Sequence, residues 1–430
     1  MNKASLTQWL QRLETVHPKE VDLGLERVST VAYALQLLPL KYPVVTVAGT
    51  NGKGSTIAVL EALISEAGYR VGIFTSPHLL RFNERIRVAG VDASDAEIVH
   101  AFWLIDQARG SVSLTYFEFA ALAALLIFEA SEPDFVILEV GLGGRLDAVN
   151  IVDASVAVIT SIDLDHQGWL GESRGEISRE KAGILRRGRP AVIADSNPPP
   201  ELLDCVESVA ASPALYLGRE FSVAAVDGQW QAQLQMPDGR SRTLSALTNG
   251  ALLPENIGAA VQAALLLGIE FSDGCLAAAL AKVSAVGRRE VRRVAGRDYV
   301  LDVAHNPASV SKLLEFLNAR PCNGKRICIF SVMADKDISS IIEATAGHFD
   351  AWFLGDQPGN TRAAGATEIA ALLDDRGQTM VSISKNLRQA FRRAQSVAGE
   401  GDRLVVFGSF YTLAAILPLL DKDHSKYEAL

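Results

Sequence analysis

The stretch Pro43-Val-Val-Thr-Val-Ala-Gly-Thr-Asn-Gly-Lys-Gly-Ser-Thr56 brings together residue types that handle phosphate. Gly49, Gly52 and Gly54 let the backbone bend tightly and bring its N–H groups close to phosphate oxygens, and Lys53 adds a point charge. Val44, Val45 and Val47 read as a buried strand running into this turn. From Ser55 to about Ala67, Ile57, Leu60, Leu63 and Ile64 share one helical face, so the helix N-terminus points at the ligand. A glycine-rich turn without ligand is the plain alternative. In the usual phosphate loop a Ser or Thr directly follows the lysine and holds Mg²⁺, whereas here Gly54 intervenes before Ser55 and Thr56. The magnesium hydroxyl is therefore sought elsewhere in the chain.

Three further positions bear chemistry. Glu139 is the one acid in the otherwise apolar strand Phe135-Val-Ile-Leu-Glu-Val-Gly141, and a carboxylate in so buried a strand needs a cation or donors to meet it. A core Arg would serve as well as a metal. His166, in Asp163-Leu-Asp-His, follows a strand expected over 156–162, where it could cap a helix, fill core or ligate Mg²⁺. Asp302, in Asp302-Val-Ala-His-Asn-Pro307, sits where another strand gives way to a helix, the edge at which ligands gather in open parallel sheets. The loop 76–90 is long, basic and aromatic, and Arg81, Arg85 and Arg87 in it argue for an anion nearby. Asp22 and Arg27 form a solvated ion pair on the plain reading. Thr115 and Glu118 have capping-box spacing, which alone would explain both.

The elements that must position these residues alternate strand and helix. After an amphipathic first helix (Leu6, Trp9, Leu10, Leu13) and a second at 28–38, strands are expected at 44–48, 70–75, 135–141, 156–162 and 190–194. Antiparallel alternation follows over 221–247, with a turn at Met236-Pro-Asp-Gly239. The basic run Arg288-Arg-Glu-Val-Arg-Arg293 reads as a connector. Beyond it, strands at 299–303, 326–332, 351–354 and 404–407 alternate with helices near Ala308, Ser339, Thr367 and Leu387. The expected fold is α/β: a P-loop parallel-sheet ATPase domain with a small antiparallel edge over residues 1–287, and a smaller Rossmann-like domain over 288–430.

With 41 basic against 50 acidic residues the net charge is −9, so no general attraction to nucleic acid or an anionic membrane is expected. No apolar run reaches membrane-spanning length and the N-terminus lacks the order of a signal peptide. Cys205, Cys275, Cys322 and Cys328 show no metal or redox spacing and read as buried, reduced thiols of a cytoplasmic protein.

Taken together, Val-Ala-Gly-Thr-Asn-Gly-Lys-Gly-Ser55, Thr-Ser-Pro-His-Leu79, Phe-Asn-Glu-Arg-Ile86, Leu-Thr-Tyr-Phe-Glu118, Glu-Val-Gly-Leu-Gly-Gly-Arg-Leu-Asp147, Asp-His166, Arg-Glu-Lys-Ala-Gly183 and Asp-Val-Ala-His-Asn306 resemble one family. It is that of the bacterial dihydrofolate synthase/folylpolyglutamate synthases, the folate branch of the Mur ligases. The resemblance runs in order through nearly the whole chain. It implies ATP-dependent joining of L-glutamate to dihydropteroate, and of further glutamates to tetrahydrofolate and its polyglutamates, through an acyl phosphate.

By the same resemblance Thr50, Asn51, Gly52, Lys53, Gly54 and Ser55 meet ATP, as do Asn256, Arg288 and Asp302. Ser76, Glu139 and His166 would ligate Mg²⁺. Asp22, Leu23, Gly24 and Leu25 would line the pterin pocket, with Thr115, Tyr116, Phe117 and Glu118, and Leu146, Asp147 and Ala148. Lys181 matches a lysine that is carbamylated, and a monovalent cation such as K⁺ is a further implied cofactor. The implied catalytic set is Lys53, Glu139, His166 and Lys181, in a monomer. At the connector the family has Pro before Gly-Arg and an aromatic or apolar residue after it, whereas this chain reads Val286-Gly-Arg-Arg289. Alternative readings are a polyglutamating enzyme only, a P-loop small-molecule kinase, or a nucleotide switch without turnover.

Overall fold

The computed structural model describes residues 4–226, 229–248, 251–283, 286–294 and 296–428, and the chain divides into two compact units, Met1–Ser284 and Ala285–Leu430. The pattern of the sequence places that division slightly later, at 287/288.

Unit 1 is built on a sheet of eight strands, β1 (Val44–Ala48), β2 (Val71–Phe74), β3 (Ile86–Val88), β4 (Val91–Asp92), β5 (Phe135–Glu139), β6 (Val156–Ile159), β7 (Ala191–Ile193) and β8 (Ala214–Tyr216), in the order β4-β3-β2-β5-β1-β6-β7-β8. From β2 to β8 all neighbours are parallel. The central strands read as continuous apolar runs because helices cover both faces of a parallel sheet; every residue of β1 is buried. Helices α1 (Leu6–Val16), α2 (Glu26–Ala34), α3 (Lys53–Glu66), α4 (Asp95–Ala108), α5 (Tyr116–Ser131), α6 (Gln167–Leu170), α7 (Arg174–Ala182), α8 (Pro200–Val209), α9 (Pro254–Leu266) and α10 (Asp273–Lys282) complete the unit. Helix α5 is apolar nearly all round, with Phe119 to Leu125 buried without interruption, and so lies deep in the core. The antiparallel stretch forms a separate sheet of β9 (Ser222–Val226), β10 (Gln229–Gln235) and β11 (Ser241–Thr248), in the order β11-β10-β9. Residues 227–228 of it lie outside the described residues.

Unit 2 holds β12 (Glu290–Val294), β13 (Arg297–Leu301), β14 (Arg326–Phe330), β15 (Ala351–Gly355), β16 (Val381–Ser384) and β17 (Arg403–Phe407), in the order β12-β13-β17-β14-β15-β16. All pairs are parallel except β12 with β13. Its helices are α11 (Pro307–Asn318), α12 (Ile338–Thr345), α13 (Ala366–Asp374), α14 (Leu387–Val397) and α15 (Phe410–Glu428). The α/β class with a large, mainly parallel sheet and a second sheet domain is thus observed.

Several local expectations are corrected. The basic connector is strand β12, antiparallel at the sheet edge, where Arg292 pairs with Glu290 at 2.6 Å. The loop 76–90 holds a 3₁₀ turn (Phe82–Arg85) and β3, which pairs antiparallel with β2. The anions its arginines called for are partly the protein's own: Arg87 meets Glu61 at 2.5 Å and Arg81 meets Asp95 at 3.2 Å. Arg85 instead donates through Nε to His78 Nδ1 at 2.9 Å and lies over the rings of Phe82 and Tyr116. All four cysteines are free, but only Cys328 is buried; the others are half-buried. Among the described residues no helix is long and apolar enough to cross a membrane.

Candidate active site

Register aligns the strand ends that carry the site. Val47 pairs with Glu139, Ala48 with Ile159 and Phe74 with Leu138, so the segments after β2, β5, β1 and β6 leave one edge of the sheet side by side. The phosphate-loop residues, Ser76, Glu139, the 141–147 turn and His166 all lie on them.

Between β1 and α3 the loop's shape is imposed by packing. Gly49 has φ +148° and a Cβ there would lie 1.8 Å from Thr160 Oγ1; Gly52 has φ +93° and a Cβ there would lie 2.4 Å from Asn256 Oδ1. Both positions therefore exclude a side chain, on conformation and on space. Asn256, in the first turn of α9 and buried, thereby stands against the loop. The segment after β6 braces it: Thr160 Oγ1 donates to Asn51 O at 2.7 Å, Asn51 N to Ser161 Oγ at 3.2 Å, and Thr50 Oγ1 to Asp163 O at 3.1 Å. Helix α3 starts at Lys53 from a left-handed Gly52 with no side-chain cap, so its positive end suits an anion. Lys53 Nζ donates to Gly49 O at 2.9 Å and Thr50 O at 3.3 Å. Gly54 lies in the first turn of α3, and Ser55 and Thr56 behind it are buried.

Glu139 is 4 % exposed and accepts the Ser76 N–H on Oε2 at 2.8 Å. That bond ties the ends of β2 and β5 and holds Ser76 beside the carboxylate. His166 adopts left-handed φ/ψ at the start of α6, half-exposed, with its N–H on Asp165 Oδ1 at 2.9 Å. A carboxylate, a hydroxyl and an imidazole suit a divalent ion such as Mg²⁺ or Mn²⁺. Among the described residues no group of three or more His, Cys, Asp or Glu gathers as a metal cluster.

Lys181, on α7, is 4 % exposed, and Nζ donates to Gly49 O at 3.1 Å. Burial, and next the Lys53 charge, push its pKa down to about 7 against the pull of Asp165 and Asp147. Asp147 carries the 141–147 turn: its carboxylate accepts the N–H groups of Gly141, Leu142 and Val149 at 2.8–3.1 Å. Burial nonetheless lifts its pKa to about 6. Gly144 lies against the α7 backbone, where a Cβ would meet Glu180 O at 2.9 Å, so turn and helix are in contact. Leu146 and buried Ala148 flank Asp147, and the Phe117 ring fills the space over Gly141.

The residues expected at a pterin pocket are joined by side chains. Thr115 caps α5 in a full capping box with Glu118, as their spacing leads one to expect. Arg27 then links that box to the 22–25 loop, reaching Asp22 Oδ2 at 2.8 Å and Glu118 Oε1 at 3.1 Å. The Asp22–Arg27 pair is thus half-buried rather than merely solvated. Lys19, followed by Arg27 and His17, holds the Asp22 carboxyl below its usual range. Tyr116 packs edge-on to Phe82, and Phe117 lies 5.6 Å from Phe74. Leu23, Gly24 and Leu25 are half-buried between Asp22 and α2.

In unit 2, Asp302 accepts Arg289 N on Oδ2 at 2.8 Å and Ala304 N on Oδ1 at 2.6 Å. It thereby closes the turn carrying Arg288, whose guanidinium lies over Phe410 at 5.9 Å. Burial raises the Asp302 pKa. Arg289, where the sequence departs from the family pattern, is left-handed at φ +51° and spends its N–H on Asp302.

Sequence reasoning missed Thr160 and Ser161, and the partners His17 and Ser113. The first two lie shortly before Asp-His166, but nothing local marks them, because their partners in the phosphate loop are far off in sequence.

A Mur ligase middle domain matches residues 47–209 and a Mur ligase glutamate ligase domain matches residues 287–410. The dihydrofolate synthase/folylpolyglutamate synthase of Escherichia coli (strain K12) is 39 % identical over 423 residues, covering 98 % of this chain and 96 % of that protein. The solved E. coli FolC in complex with DHPP and ADP superposes with a TM-score of 0.92 at 38 % identity, covering 98 % of each chain. A bifunctional folylpolyglutamate synthase/dihydrofolate synthase with Mn, AMPPNP and L-glutamate bound gives 0.89 at 38 % identity, covering 97 % of this chain and 98 % of that one. With relatives this similar over almost its whole length, carrying the same two domains, the chain belongs to the dihydrofolate synthase/folylpolyglutamate synthase family of ATP-dependent Mur ligases.

Proposed function

We propose that this enzyme uses ATP to join L-glutamate to dihydropteroate, forming dihydrofolate, and to add further glutamates to tetrahydrofolate and its polyglutamates. The observation that carries the reading is the meeting of phosphate loop, buried Glu139 and Lys181 at one strand-end edge, with Lys181 Nζ 3.1 Å from Gly49 O. A free carboxylate is a poor acyl donor because its leaving group would be oxide. The acceptor's carboxylate oxygen therefore attacks the γ-phosphorus of ATP, the bond to the β-phosphate oxygen breaks, and ADP leaves an acyl phosphate. Glutamate's amine then attacks the carbonyl carbon, and phosphate departs as the amide forms and the amine loses its proton.

In this scheme Lys53 swings from the loop carbonyls to the phosphoryl oxygens, while the N–H groups of Thr50 to Ser55 and the α3 N-terminus hold the chain of phosphates. Ser76, Glu139 and His166 would hold Mg²⁺, which when bound screens charge on the transferring group. Asn256 positions the nucleotide against Gly52, and Arg288 and Asp302 are further proposed ATP contacts. A K⁺ ion is a further proposed cofactor.

Lys181 is set up for carbamylation: a neutral amine adds CO₂, forming an N–C bond and releasing one proton, and the product is an anion. An amine with a pKa near 7 is neutral often enough for this in ordinary buffer, where a free lysine is not. We further propose that the protein works as a cytoplasmic monomer, with residues 1–287 as the ATPase domain and 288–430 as the glutamate ligase domain.

The test is ADP release from the purified enzyme with Mg²⁺, ATP and combinations of dihydropteroate, tetrahydrofolate and glutamate. Release that requires glutamate is expected with both acceptors. Release without glutamate would indicate a kinase, and activity with tetrahydrofolate alone would leave only polyglutamation.

A further inference from the structure

His17 ends α1 with an imidazole that is only 6 % exposed. Its Nδ1 lies 3.1 Å from Ser113 Oγ, just before α5, and its Nε2 lies 3.2 Å from Asp22 Oδ2. A neutral ring fits both contacts, with Nε2–H donating to the carboxylate and Nδ1 accepting from the serine hydroxyl. From the other side, Arg27 NH2 donates to Asp22 O at 2.5 Å and to Glu118 Oε1 at 3.1 Å, and Glu118 takes the Thr115 N–H at 2.7 Å. The 113–118 segment is therefore gripped at Ser113 and at Glu118, on either side of fully buried Leu114, and both grips end on Asp22.

Asp22 has both oxygens engaged within the protein, Oδ1 by Lys19 and Oδ2 by His17 and Arg27. It acts as a tie between the 22–25 loop and its neighbours. We propose that His17 is a positioning residue for acceptor binding: with Asp22 and Arg27 it latches the 22–25 loop onto the start of α5, and the latch sets the affinity for dihydropteroate. This rests on the reading of 22–25 and 115–118 as the border of the pterin pocket. Dihydropteroate lacks the glutamate by which a folate gains additional carboxylate contacts, so its binding depends more on the pterin end. An unlatched loop must be ordered at each binding event, and that cost falls on affinity.

The test is steady-state kinetics of full-length His17→Phe and His17→Gln with ATP, Mg²⁺ and glutamate, each acceptor varied in turn. His17→Phe keeps the ring volume and loses both hydrogen bonds. It is expected to raise KM for dihydropteroate roughly tenfold, as loss of a charge-assisted hydrogen bond does. The kcat, the KM for ATP and the KM for tetrahydrofolate should move less than about twofold, within ordinary mutational scatter. His17→Gln, which can donate and accept, should recover most of the loss. Equal KM rises for both acceptors, a fall in kcat alone, or no rescue by glutamine would overturn the latch. If His17→Phe fails to fold by thermal melt, Ser113→Ala removes one end of the same bond; an unchanged KM for dihydropteroate there overturns the proposal too. Wild-type enzyme that makes no dihydrofolate would instead overturn the pocket reading itself.

Discussion

Replacing Lys181 by methionine keeps the side chain's length and removes a buried amine whose pKa the fold lowers to about 7. The unfolded lysine has its ordinary value of 10.5, whereas burial and Lys53 bring the native group to about 7. Below pH 7 both states bind the proton and the full penalty of a buried ammonium is present. Between pH 7 and 10.5 the unfolded chain binds the proton and the native chain does not, so stability rises with pH across that window. Methionine has no such dependence. The stability advantage of Lys181→Met over wild type should therefore shrink by about 3 kcal/mol between pH 6 and pH 9, at about 1.36 kcal/mol for each step of one in pH above 7. Urea melts at pH 6, 7, 8 and 9, in CO₂-free buffer with chelator and no nucleotide, read this difference, because titrating groups remote from Lys181 cancel between the two proteins and only its neighbours Lys53, Asp147 and Asp165 respond to its loss. Adding bicarbonate at pH 8 should stabilise wild type alone, since only a neutral amine present in the native state adds CO₂. A difference that stays constant from pH 6 to 9 would refute the lowered pKa. A melt insensitive to bicarbonate would remove the carbamate.

Glu139→Ala is expected to abolish ligation at any magnesium concentration while the enzyme still melts cooperatively; wild-type turnover across a magnesium titration would exclude it from the metal site. Gly52→Ala should cost about 1–3 kcal/mol of stability from its left-handed φ, and should raise KM for ATP as the new Cβ displaces Asn256; an unchanged urea midpoint would contradict the packing. Asp302→Ala should both weaken ATP use and lower stability by about 1–3 kcal/mol, since two backbone N–H groups lose their acceptor. Circular dichroism melts together with KM for ATP separate the two effects, and a variant with neither would place Asp302 outside the nucleotide site.

What could be read in the sequence is what local pattern encodes. The β1–loop–α3 unit announces itself because strand, glycines, lysine and helix are contiguous, and Glu139 stands out because one acid interrupts an apolar run. Edge elements were lost for the opposite reason. In β12, Glu290 and Arg292 face one way and form a pair, so half of the strand is charged and it reads as a linker. β3 lies inside a basic stretch whose key partner, Glu61, sits on α3, and no spacing rule connects Arg87 to it. Lys181 offered only its helix and a likeness to relatives; its burial and its bond to Gly49 O arise from the crossing of α7 over the loop, which is tertiary information.

The bracing of the phosphate loop bears on how the enzyme is made. Gly49 to Lys53 leave the ribosome early, but the groups that shape them come later: Thr160 and Ser161 after β6, Lys181 on α7, and Asn256 on α9 last of all. A nascent chain that ends before α9 holds the sequence of the nucleotide loop without all of its walls. If Asn256 is needed to bind the nucleotide, ATP capture waits until nearly the whole of unit 1 has been synthesised, and a ribosome-stalled series of increasing length should show nucleotide protection beginning only once α9 has cleared the exit tunnel.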